Sequence, residues 1–131
     1  MRLISVYISG MSSLLDHVFV DAHDPQTGKV TAEGLRTVFA LSTAEVAGIA
    51  GVTPRAIRQN AASARIQTRL GRFVDVMVRA KRLLQGDVAL VRIWLRAPHP
   101  ELAMSAPLAL LARGEFDRVE RLLRSAETAR T

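Results

Sequence analysis

The sequence predicts an all-α fold, and three observations carry that expectation. Apolar residues recur at spacings of three and four along most of the chain, the period of one face of a helix. Residues that start and stop helices sit at the ends of those stripes: Ser42, Thr53 and Asp87 before them, Gly51, Gly86 and Gly114 after them. The chain has 131 residues of which 49% are apolar, enough to bury a core.

The elements follow in order. Met1 to Ile8 shows an alternation that suits a short strand; Met11 follows so closely that the first ten residues equally suit a start-site artefact. Leu14, Leu15, Val18 and Phe19 predict a helix over 11–20. Asp24-Pro25 and Gly28 mark a loop. Leu35, Val38 and Phe39 share one face of the next helix.

Ser42-Thr-Ala-Glu45 is a capping box, opening a short helix from Thr43 to Ala50 that Gly51 ends. Thr53-Pro54 opens a second short helix, with Thr as cap and Pro at the first helical position. Further helices are expected over 68–85, over 88–95, from Pro107 to Leu111, and from Glu115 to about Ser125, followed by a frayed tail. Ala97-Pro98-His99-Pro100 is expected to be extended, because a residue preceding proline is pushed out of the helical region. Leu102 to Ser105 reads as short and irregular.

Composition bounds the function. With no cysteine, disulfides and cysteine-ligated zinc are excluded, and the chain fits a reducing cytoplasm. No apolar run reaches the ~18 residues of a membrane span. The net charge is +6, but residues 51–100 carry ten Arg or Lys against Asp75 and Asp87, a local +8. Sixteen of the eighteen basic residues are arginine, the side chain suited to bidentate phosphate and guanine contacts.

Two short helices around a tight glycine turn form a helix-turn-helix pattern. Val46, Ala50, Val52 and Ile57 are its expected core, and small Ala47 marks the close approach of the two helices. Thr53, Arg55, Arg58 and Gln59 are left facing outward at the start of the second helix, where recognition helices meet base edges. Arg65 and Arg69 follow and suit the phosphate backbone. Asn60 stands where an apolar residue usually packs back, so the second helix is expected to be weakly anchored or to end early.

Catalytic patterns are absent from the sequence. His17, His23 and His99 have no metal-ligand partner at helical spacing, and no phosphate-cradling glycine loop or Ser/His/Asp arrangement occurs. The chain is therefore expected to be neither an enzyme nor a cofactor or metal protein.

The C-terminal third carries a more specific pattern. Gly86-Asp87, Trp94-Leu95-Arg96-Ala97-Pro98-His99-Pro100-Glu101-Leu102, Pro107-Leu108-Ala109-Leu110-Leu111 and Gly114-Glu115 resemble the toxin-binding module of the Xre/MbcA/ParS antitoxins. His99 replaces the usual Asn of that pattern, and Ala103-Met104 stand where paired glycines often follow the loop. The resemblance covers most of residues 35–125, because the helix pair upstream sits where that family has its Xre-like helix-turn-helix.

The resemblance implies an antitoxin of a type II toxin–antitoxin system. Its partners are a RES-domain toxin that destroys NAD and the operator of its own promoter, which it represses as a homodimer or in a larger complex. The implied layout is an N-terminal extension over 1–30, an Xre-like module over 31–85, a toxin-binding module over 86–125 and a tail over 126–131. Trp94, Pro98, Pro100, Leu102, Pro107, Leu110, Leu111 and Gly114 would build that module, while Arg96, His99, Glu101, Arg113 and Glu115 are expected to be exposed toward the toxin. The alternatives are a stand-alone transcriptional regulator without a toxin, or a toxin-binding module whose DNA binding is vestigial.

Overall fold

The computed structural model describes residues 19–130, and these form an all-α fold. The helices are α1 (Ala32–Phe39), α2 (Thr43–Ala50), α3 (Pro54–Asn60), α4 (Ala64–Leu83), α5 (Val88–Arg96), α6 (Pro107–Leu111) and α7 (Phe116–Arg130). No strand occurs among the described residues; two isolated antiparallel bridges, His23 to Val30 and His99 to Ser105, close loops. The strand-or-artefact reading of residues 1–10 and all but the end of the helix expected over 11–20 lie outside the described residues. At that end the chain is not α-helical: Phe19 has φ +55° and Val20–Ala22 is one turn of 3-10 helix.

The long helix α4 organises the rest. Its large apolar residues are buried on more than one face, from Ile66 and Leu70 through Phe73, Val74, Val76, Met77 and Val78. Such a helix must be covered on several sides, and α2, α5 and α7 all pack against it. Phe19, Phe39 and Phe73 stack edge to face in sequence, with centroids 4.8 Å and 5.6 Å apart. One buried cluster runs from Phe19 to Leu123, so the regions expected to form two modules share a continuous core.

Two boundaries differ from the sequence expectation, the start of α4 and the C-terminal tail. Helix α4 starts at Ala64 rather than 68, because the Ser63 hydroxyl accepts the Ile66 N–H and supplies the cap. The segment 102–105 is irregular, as expected: Pro100–Leu102 makes a 3-10 turn, and Ala103 and Met104 follow at φ +55° and +66°. These left-handed residues occupy the positions where the resembled pattern has glycines, the residue for which such φ values carry no Cβ penalty. The C-terminal tail is helical to Arg130, not frayed from 126. Arg79 holds it through two hydrogen bonds to the Glu127 carboxylate, and Arg130 Nη1 donates to the Arg82 carbonyl.

Candidate functional site

The α2–α3 pair is set by local rules. The Ser42 hydroxyl accepts from Glu45 N at 3.0 Å, and Glu45 Oε1 accepts from Ser42 N at 2.9 Å, completing the capping box. Gly51 closes α2 at φ +74°, and the Val52 N–H reaches back to the Ala47 carbonyl. Val46, Ala47, Ala50 and Ile57 are buried between the helices, while Val52 is half-buried.

The exposed side of α3 carries Arg55, Arg58 and Gln59. Arg65 is exposed on the first turn of α4. Thr53 is exposed too, but its hydroxyl accepts the Ala56 N–H at 3.1 Å, so its side chain serves the helix cap first.

The end of α3 depends on a residue that the periodicity did not reveal. Asn60 is exposed, and the helix does stop there after seven residues. Its anchor is Gln67. The Gln67 Nε2 donates to the Ala61 carbonyl at 2.8 Å and to the Val30 carbonyl at 2.7 Å, and its Oε1 accepts from Val30 N at 2.9 Å. A polar clasp from α4 thus replaces the apolar residue missing at 60. The only sequence signal was an uncharged polar residue at an inward position, one turn after the cap.

Electrostatics separate this face from the rest of the surface. No Asp or Glu lies between Glu45 and Asp75. Arg55, Arg58 and Arg65 make no ion pair with any described carboxylate. Of the other basic residues of the middle third, Arg72, Arg79 and Arg96 meet carboxylates. Arg72 bridges Asp117 and Glu120, and Arg79 pairs with Glu127. Those hydrogen bonds hold Glu120 and Glu127 below the usual carboxylate range and raise both arginines above theirs. Helix α7 therefore neutralises one side of α4 and leaves the α3 side positive.

Arg69 stands apart from this group. It is half-buried, with its guanidinium directed into a notch between Gly51 and Gly114 and 5.5 Å from the centroid of Phe116.

The proline loop is built much as the motif residues suggest. Leu102, Pro107, Leu110 and Leu111 are buried, Trp94 and Gly114 are half-buried, and Pro98 and Pro100 are exposed. The residues expected to face a protein partner divide. Glu101 and Arg113 are exposed, and Arg113 pairs with Glu115, which also meets Arg118. The Arg113 hydrogen bond holds the half-buried Glu115 below the usual carboxylate range.

His99 is a correction: it is half-buried rather than exposed, its ring tilted 5.9 Å from Trp94 and its Nε2 3.3 Å from the Trp94 carbonyl. With the Nε2 proton in place it donates to that carbonyl and holds the loop. Arg96 is exposed but engaged, donating to Glu45 and to the Ala40 carbonyl. Sequence reasoning also missed Arg118 and Arg121, which with Glu101, Leu102 and Leu122 line a shallow groove between α7 and the proline loop.

No group of three or more His, Cys, Asp or Glu converges as a metal site among the described residues, and no described helix is long and apolar enough to cross a membrane. No protein-family model matches the chain, and no curated protein matches it.

Proposed function

We propose that this chain is a two-function binding protein of the antitoxin kind: a cytoplasmic DNA-binding helix-turn-helix, α2–α3, joined to a module that binds and neutralises a RES-domain toxin. One observation carries the DNA half. Arg55, Arg58 and Arg65 form an exposed basic face that makes no ion pair with a described carboxylate, in a stretch without Asp or Glu from 46 to 74. Duplex DNA offers a dense array of phosphates to such a face, and Gln59 beside the arginines adds a side chain suited to reading base edges. The toxin half rests on the proline-loop pattern, whose apolar members are buried and whose Glu101 and Arg113 are exposed. On this reading the chain performs no chemistry of its own, and a homodimer places two α3 helices on a two-fold operator.

The test has two arms. A gel shift on the upstream promoter checks the DNA half: binding that weakens steeply with salt supports it, and salt-insensitive or absent binding refutes it. Co-expression with the neighbouring open reading frame checks the toxin half. Failure to relieve that neighbour's toxicity removes the antitoxin role and leaves a transcriptional regulator.

A further inference from the structure

Two glycine turns on opposite sides of the expected module boundary meet a single guanidinium. A Cβ built on Gly51 would lie 2.9 Å from Arg69 Nη1, and one built on Gly114 would lie 2.9 Å from Arg69 Nη2. Both glycines hold left-handed φ, +74° and +81°. The guanidinium thus fills a notch that exists only because neither turn carries a side chain. Its Nε is buried and meets no acceptor, and its Cζ lies over the ring of Phe116, the first residue of α7, 5.5 Å from the centroid. A buried donor without a partner is destabilising. Arg69 is therefore held by shape rather than by hydrogen bonds, and a small shift of either turn changes what it touches.

A second close approach joins the same regions. A Cβ on Gly48 would lie 2.5 Å from the Ala112 carbonyl oxygen, so α2 rests directly on the end of α6. The Gly114 turn follows within two residues of that approach.

We infer that Arg69 is a positioning residue that ties the Gly51 turn, and hence the presentation of α3, to the Gly114–Glu115 turn. Displacing the second turn moves the guanidinium, and the guanidinium moves the first. A protein partner that engages Glu115 or Arg113 then alters duplex affinity through Arg69, and by reciprocity the duplex alters affinity for that partner. This consequence for DNA rests on the proposed function; the mechanical link between the turns does not.

The experiment reads the two claims separately, on the full-length chain. Backbone amide shifts of Gly51, Val52 and Thr53 are recorded for Gly114→Ala, alone and combined with Arg69→Ala. Gly114→Ala should move those three amides, and the combined variant should match Arg69→Ala by itself. Equal movement with and without Arg69 would assign the link to the Gly48–Ala112 approach and overturn the role of Arg69; no movement at all would overturn the link.

Should Gly114→Ala not fold, Arg69→Lys serves in its place. The lysine keeps the charge but cannot span both turns, so the amides of Gly51 and Gly114 should both shift; movement at one alone overturns the proposal. Duplex binding of Arg69→Lys is the second readout, expected to weaken about 5-fold or more. If the unaltered chain binds a promoter duplex and Arg69→Lys binds it equally well, the coupling does not reach α3. If the unaltered chain binds no duplex, the DNA reading fails while the amide shifts still decide the link.

Discussion

Arg96 grips Glu45 through two hydrogen bonds, 3.1 Å to Oε2 and 3.0 Å to Oε1, across fifty-one residues of chain. The same carboxylate closes the capping box of α2, and the same guanidinium donates to the carbonyl of Ala40, the left-handed residue that ends α1. One ion pair therefore locks α5 onto the junction between α1 and α2. Glu45→Gln keeps the shape of the cap acceptor and removes the charge; Glu45→Ala removes both. Glu45→Ala is expected to destabilise by more than the ~1 kcal/mol typical of a missing cap, because Arg96 is left without its partner as well. Urea midpoints for the two variants check this, with Glu45→Gln the milder.

The acid limb of stability follows from the same pairs. Glu45, Glu120 and Glu127 are each held below the usual carboxylate range, first by a hydrogen bond from Arg96, Arg72 and Arg79 respectively. A carboxyl with a lowered folded pKa stabilises the fold above its unfolded value, near 4.5 here, and that contribution is lost as pH falls through the folded value. Tm should therefore hold between pH 7 and 5 and drop below about pH 4.5, and Glu120→Gln should make the drop shallower. An unchanged slope in Glu120→Gln would mean the Arg72–Glu120 pair contributes nothing to acid stability.

Gly48 shows a limit of reading helices one at a time. Within α2 it looks like a weak point, since glycine disfavours a helix interior. Its reason lies just past α6, sixty-four residues away, where the Ala112 carbonyl occupies the space a Cβ would need, 2.5 Å distant. Gly48→Ala should destabilise by about 1–3 kcal/mol despite improving helix propensity, because overpacking against backbone has no soft side chain to yield. Gly71→Ala is the control: nothing lies within 4 Å of its Cβ position, so the same change there should be neutral or stabilising. Thermal melts of the pair should separate the two, with Tm lowered only for Gly48→Ala.

What the sequence made legible was local. The Ser42 box, the Gly51 stop and the Thr53-Pro54 start follow from cap and turn chemistry, and all lie where those rules put them. Long-range partners were not legible. Arg96 and His99 read as exposed binding residues because nothing nearby claims them, yet one holds Glu45 and the other folds back on Trp94. The role of Gln67 was hidden for the same reason, its Val30 partner being thirty-seven residues upstream. Gln67→Leu keeps the bulk and leaves the Val30 N–H, the Val30 carbonyl and the Ala61 carbonyl without this partner. A destabilisation of roughly 1–3 kcal/mol for each such group that stays dry is expected, read as a lowered denaturation midpoint.

The exposed arginines make the prediction that bears most on function. Arg55→Ala with Arg58→Ala removes two unpaired charges from the open face of α3 and touches no described ion pair, so Tm should change little. Promoter binding should collapse, and any residual binding should show a salt slope shallower by about one for each phosphate that is no longer neutralised. Arg121→Ala with Arg124→Ala removes the same amount of charge from the exposed side of α7, so net charge is matched between the pairs. If both pairs weaken the duplex equally, binding follows overall charge and α3 has no special role. If only the α3 pair does, affinity resides in the helix that Gly51 and Thr53-Pro54 set in place.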